Sequence, residues 1–134
     1  VAGATRGGKW ACPSHWRVAR SIFICDDQHI TEAYVKGPRS PYRKYYEAVL
    51  RRTGGDRDLD QLLDDVVISG PASQVADRLC ALQALTGDIG TLLYVDHVWA
   101  DRDLARSSLI QMAEKVMPAV QPATIRHNRE LEHT

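Results

Sequence analysis

The chain has 134 residues, of which 44% are hydrophobic and 25% charged, and its 17 basic and 17 acidic side chains leave a formal net charge of zero. That size and make-up describe one globular domain with an ordinary core. They exclude a broad nucleic-acid-binding face, which needs a basic excess, and no apolar run reaches the roughly 20 residues of a membrane-spanning helix.

Residues 1–15 are rich in Gly, Arg and Ser with little periodicity and read as a loop. WRVARSIFICDD (16–27) is strand-like, dense in Val, Ile and Phe and closed by two Asp. Side chains alternate along a strand, so Ser21 and Phe23 share one face of it. A helical stretch is predicted over 28–65. HITEAYVKG (29–37) is a short helix ended by Gly37. SPYRKYYEAVLRRTGG (40–55) is a longer one, with Ser40 to cap it, Pro41 in its first turn and Gly54 past its end. Its Tyr42, Tyr45, Tyr46, Val49 and Leu50 form an apolar-aromatic stripe, read as packing. The basic run from Lys36 to Arg52 reads as a solvated face, with contact to a phosphate as the alternative. DRDLDQLLDDV (56–66) is acidic, with Leu59, Leu62 and Leu63 at helical spacing.

Residues 66–120 read as helix, strand, helix. VVIS (66–69) is a short extended run, and Gly70-Pro71 turns into a helix with Pro71 as its first residue. Val75, Leu79, Leu82 and Leu85 mark one apolar face of that helix, and Gly87 ends it. GTLLYV (90–95) is apolar almost throughout, as strands covered on both faces are. A polar loop, DHVWADRD (96–103), leads to LARSSLIQMAEKVMPAV (104–120), a helix stopped near Pro118. The polar residues 121–134 read as a loose tail. The fold class is α/β, with about two parallel strands and four to five helices. Two strands leave both sheet edges open, so the chain is incomplete as a sheet on its own.

Cys12, Cys25 and Cys80 are odd in number and widely spaced, which is neither a disulfide framework nor a metal site. A reduced, cytoplasmic setting fits them. VAGATRGGKW carries no signal-peptide core. The first residue is Val, which suggests a processed or truncated piece. GATRGGK (3–9) lacks the spacing of a phosphate-binding loop and the Ser or Thr that follows one. His97 with Asp96 has no nucleophile signature beside it, so no catalytic residue is assigned.

Three pieces in order, WRVARSIFICDD, VVISGPASQVADRL and GDIGTLLYVDHVWADRDLARSSLIQMAEKVMPAV, together resemble the carboxyl-terminal part of the bacterial-luciferase-like flavin monooxygenases. The first is similar to the seventh strand of that family's (β/α)8 barrel, and the last to its eighth strand and closing helix. The subgroup that includes Baeyer–Villiger-type oxygenases looks nearest. A complete barrel typically needs ~250 residues, so the resemblance implies the carboxyl-terminal portion of a TIM barrel. It further implies insertion of one oxygen atom of O2 into a small organic substrate, with reduced FMN supplied by a separate flavin reductase, in a homo-oligomer without nucleic-acid or membrane partners. Coenzyme F420 on the same barrel is the variant reading.

By resemblance, His97, Arg20 and Ser21 would contact the cofactor, and Phe23, Asp96 and Trp99 would line the substrate pocket. Their chemistry suits those roles, since a cation and hydrogen-bond donors stabilise an anionic flavin. Each also has a plainer reading: a loop histidine bonded to Asp96, an arginine paired to Asp26 or Asp27, a packing tryptophan. The isolated chain is expected to bind FMN weakly or not at all and to be inactive. The alternative is a small non-catalytic α/β or helical interaction module that self-associates.

Overall fold

The computed structural model describes residues 17–87, 90–97 and 101–120. The predicted loop at 1–15 and tail at 121–134 lie outside them.

Strand β1 (Arg17–Ile24) is the middle of a three-stranded parallel sheet of order β2-β1-β3. β2 (Val67–Gly70) pairs with the second half of β1, from Ser21↔Val67 to Ile24↔Gly70. β3 (Thr91–Val95) pairs with the first half, from Arg17↔Thr91 to Ser21↔Val95. The sheet thus has one strand more than the sequence pattern counts. VVIS is too short to stand out, yet Val67 and Ile68 are buried at 1% and 4% exposure and bond into the ladder.

Between β1 and β2 run α1 (Gln28–Val35), α2 (Pro41–Thr53) and α3 (Leu59–Val66). Asp27 caps α1 and Asp58 caps α3 through their carboxylates, and Ser40 Oγ accepts from Arg43 N at 3.2 Å to cap α2. Gly54 ends α2 at φ 66°, a left-handed turn open to glycine at no cost. Helix α4 (Ala72–Thr86) joins β2 to β3; Pro71 stands one place earlier than the sequence suggests, at the cap. Helix α5 (Arg102–Gln111) continues through a π turn, Met112–Val116, and stays helical to residue 120. Pro118 therefore does not stop it. The wider turn just upstream eases the clash of the proline ring with the preceding carbonyls.

Each face of the sheet has its own core. Ile22, Ile24 and Ile68 meet Val75 and Leu79 of α4 and Met112 and Val116 after α5. On the other face Phe23 and Val67 meet Val35, Tyr42 and Leu63 from the α1–α3 layer. β3 ends opposite Ser21, so the Ile24 N–H of β1 has no β3 carbonyl to bond. Ser108 of α5 supplies the acceptor: Ile24 N donates to Ser108 Oγ at 2.9 Å, and that oxygen lies 2.6 Å from the Tyr94 hydroxyl. Ser108 is 1% exposed.

Replacing Ser108 with Ala leaves that amide unpaired in a dry core. The expected loss is about 1–3 kcal/mol, read as a lowered urea midpoint at unchanged m-value. A change within a few tenths of a kcal/mol would contradict the assignment.

Candidate functional site

Alternation on β1 puts Ser21 and Phe23 on the α1–α3 face and Arg20, Ile22 and Ile24 on the α4–α5 face. Ser21 sits where β3 stops and β2 starts, the one residue of β1 in both registers. After Val95 the chain runs on through Asp96, and His97 reaches back over β1: its Nε2 lies 3.0 Å from Ser21 Oγ. The Tyr46 hydroxyl of α2 lies 2.7 Å from the same oxygen. Ser21 and His97 are each 3% exposed.

Tyr42, Tyr45 and Tyr46 follow helical spacing, so α2 presents all three rings to one place. The His97 ring meets Tyr42 edge-on at 4.9 Å between centroids, Tyr45 at 4.7 Å and Tyr46 at 6.2 Å. Helix α2 is seated by Ser40, buried at 1%, which donates to the Val35 carbonyl at 2.7 Å, and by an Arg43–Asp60 ion pair. Tyr34 of α1 donates to Asp101 Oδ2 at 3.2 Å, which ties the α1–α3 layer to the start of α5.

Burial pushes the His97 pKa below the ordinary histidine value, against a smaller upward pull from Asp96. The ring is therefore neutral near pH 7. Tyr46, Ser21 and Nε2 of His97 form a hydrogen-bonded chain centred on the Ser21 hydroxyl, which can both donate and accept. Burial, and after it the Asp96 charge, drives the Tyr42 phenol far above its usual range. Its hydroxyl faces the Ile22 carbonyl at 3.4 Å. Ser21, Tyr46 and His97 form a hydrogen-bonded cluster walled by aromatic rings.

Of the residues singled out in the sequence, Ser21 and His97 are in contact, and Asp96 adjoins them. Phe23 is fully buried in the core against Tyr34 and Tyr42, with ring centroids 5.8 and 6.3 Å away. Arg20 is not brought to the cluster: it lies on the opposite face, its Nη1 donating to the neighbouring Ala19 carbonyl at 2.8 Å. Trp99 lies outside the described residues. Lys36 bridges to Asp64 at 2.6 Å and Arg43 to Asp60, so those members of the basic run bind α3. The contact of Tyr46 with Ser21 escaped the sequence reading. A serine between apolar neighbours on a strand was the available signal, because a buried hydroxyl needs a partner.

A cleft of about 450 Å³ opens elsewhere, at the carboxyl ends of β1 and β2. Cys25, Glu32, Lys36, Asp64, Gln74 and Arg78 are among the residues lining it; Lys36 belongs to the basic run read from the sequence, and none of His97, Arg20, Ser21, Phe23 and Asp96 is among the lining residues. Arg78 is engaged there with the Val67 carbonyl at 2.9 Å and the Asp64 carbonyl at 3.0 Å.

No family model matches this chain, and no curated protein does. Its structure is similar to that of a type II Baeyer–Villiger monooxygenase, the oxygenating constituent of 3,6-diketocamphane monooxygenase from the CAM plasmid of Pseudomonas putida, solved in complex with FMN. The TM-score is 0.68 at 24% sequence identity, over 89% of this chain and 37% of that one. The two share a fold over that span. No described helix is long and apolar enough to cross a membrane.

The buried imidazole makes stability pH-dependent. The unfolded chain takes up the His97 proton near the ordinary value of about 6.5, and the folded chain only at lower pH. His97's contribution is thus complete above about pH 6.5 and is lost as pH falls from there toward the folded pKa. Chemical denaturation between pH 8 and pH 5 should show this decline, and His97→Gln should flatten it. An equal decline in the variant would contradict the assignment.

Proposed function

We propose that this chain is the carboxyl-terminal part of a reduced-flavin-dependent monooxygenase of the luciferase-like barrel family. In this reading β1 and β3 correspond to the last two barrel strands, and α4 and α5 to the helices outside them. The parent would insert one oxygen atom of O2 into a small organic substrate, with reduced FMN delivered by a separate reductase. One observation carries the reading: 89% of the chain superposes on part of an FMN-complexed monooxygenase. The order of the three sequence motifs agrees with it.

The described residues do not fit a flavin by themselves. An isoalloxazine ring needs an open slot and its phosphate needs unspent donors. Ser21 and His97 are buried and bonded to one another under three tyrosines. Arg20 faces away, and the cations of the separate cleft, Lys36 and Arg78, are already engaged. The parent's remaining strands would have to supply most of the flavin's contacts.

The same closure favours a second reading, a non-catalytic module that associates through its exposed surface. The observation behind it is Leu93 of β3, 46% exposed, on a strand with no outer partner among the described residues.

A flavin titration separates the two. The 134-residue chain should leave FMN fluorescence unchanged, with no saturable phase at micromolar protein. A polypeptide extended upstream through the remaining barrel strands should bind reduced FMN at one per chain and oxygenate a cyclic ketone when a reductase is added. Failure of the extended polypeptide to bind FMN would overturn the monooxygenase reading. Stoichiometric binding to the short chain would overturn the closed-site description.

A further inference from the structure

The two ends of α2 are held differently. Its start is anchored to its neighbours. Ser40 donates to the Val35 carbonyl at 2.7 Å, Arg43 Nε donates to the Lys36 carbonyl at 2.9 Å while its guanidinium pairs with Asp60, and Tyr42 is fully buried against Phe23. Past Tyr46 the side-chain hydrogen bonds of the helix, among the described residues, stay within it: Arg51 donates to Glu47, and Thr53 to the Val49 and Leu50 carbonyls. Residues 51–58, which include the end of the helix and Gly54 and Gly55 after it, are all exposed.

Between these ends Tyr45 and Tyr46 join α2 to the strands. Tyr46 bonds Ser21 Oγ at 2.7 Å, and the Tyr45 ring lies 4.7 Å from that of His97. The imidazole they help to cover is 3% exposed. It is faced from α2 by Tyr42, Tyr45 and Tyr46, from β1 by the Ser21 hydroxyl, and along its own segment by Asp96. The charged side chains of this stretch of α2 are directed elsewhere: Arg43 and Glu47 pair with Asp60 and Arg51, and Lys44 is exposed. A protonated ring donates from both nitrogens, so Ser21 Oγ would have to accept from Nε2, and the charge would sit among phenol rings with little water. Burial outweighs the opposing pull of the Asp96 carboxylate, which keeps the closed ring neutral near pH 7.

We propose that His97 is a proton-operated latch on α2: proton uptake by its ring releases Tyr45 and Tyr46 and lets the second half of the helix lift from the sheet about its anchored start. The link is thermodynamic. Lifting that half hydrates the imidazole, which then takes up a proton below about pH 6.5, whereas the covered ring does so only at lower pH. Falling pH through that range therefore shifts the population toward the open form. Local openings come from the parts of a fold with few buried contacts, and the exposed end of α2 is such a part. Ser40, Tyr42 and Arg43 keep the first turn of the helix in place while it opens. Opening uncovers Ser21 and His97 at the carboxyl end of β3, a position where open α/β sheets take ligands. The latch is built from side chains within residues 21–60 and 96–97, and it rests on neither functional reading.

Amide hydrogen exchange on the purified chain at pH 8 and pH 5, corrected for the intrinsic pH dependence of exchange, tests this. The amides of residues 46–53 should exchange faster than those of Ile22–Ile24 at both pH values, and their protection should fall several-fold from pH 8 to pH 5. Tyr46→Phe weakens the hold on α2 without touching the titrating group, so it should lower that protection at both pH values and keep the fall between them. His97→Gln should abolish the fall. Exchange of residues 46–53 only in step with the β1 core, protection that does not change between the two pH values, or a fall that persists in folded His97→Gln would each overturn the proposal. The wild-type and Tyr46→Phe measurements decide the matter even where His97→Gln does not fold. None of these results bears on whether the extended polypeptide binds flavin.

Discussion

Everything in this structure is arranged around the unequal pairing of β1. Its first half is bonded to β3 and its second half to β2, with Ser21 alone shared. A strand paired in halves leaves backbone groups exposed where each partner ends, and the fold has to cover them. On one side Ser108 accepts the Ile24 amide. On the other the chain past Val95 folds His97 back over Ser21, and Tyr46 of α2 completes the hydrogen bonds of that hydroxyl. The polar cluster is a consequence of the stagger, and α2 is held in place by it.

The stagger also explains why the carboxyl end of β3 is closed, while the cleft lies at the ends of β1 and β2. In open α/β sheets ligands sit outside the carboxyl ends of strands, where neighbouring connections diverge. β1 and β3 diverge there, and the polar groups expected at such a place, Ser21 and His97, are present. Tyrosine rings occupy the remaining space. A small neutral imidazole fills it well, because a desolvated neutral ring between aromatic faces forfeits little, whereas a protonated one would be costly. The same features that make the cluster resemble a site make it a structural joint in this chain.

Much of the local structure could be read from the residues. Ser40, Pro41 and Gly54 delimit α2 as cap chemistry requires, and Val75 and Leu79 mark the buried face of α4, whereas Leu85, read from the sequence as part of that face, is 87% exposed in its last turn. What could not be read has physical causes. β2 is four residues wedged between two helices, too short for a period to appear. Pro118 stays within a helix because a π turn precedes it, and that depends on register and not on composition. Ser21 meets Tyr46 across 25 residues and His97 across 76, so no local pattern carries the contact. Arg20 and Ser21 are adjacent in sequence, yet a strand sends neighbours to opposite faces, and only one of them joins the cluster.

The central claim is that the Ser21 hydroxyl joins β1, the end of β3 and α2 into one hydrogen-bonded unit. A double-mutant cycle with Ser21→Ala and Tyr46→Phe, measured by denaturant unfolding, tests it most directly. Each single variant loses the shared hydrogen bond, so the two effects should fall short of additivity by about 1 kcal/mol. Additive effects, within a few tenths of a kcal/mol, would mean that the two hydroxyls act independently and that α2 is held by packing alone.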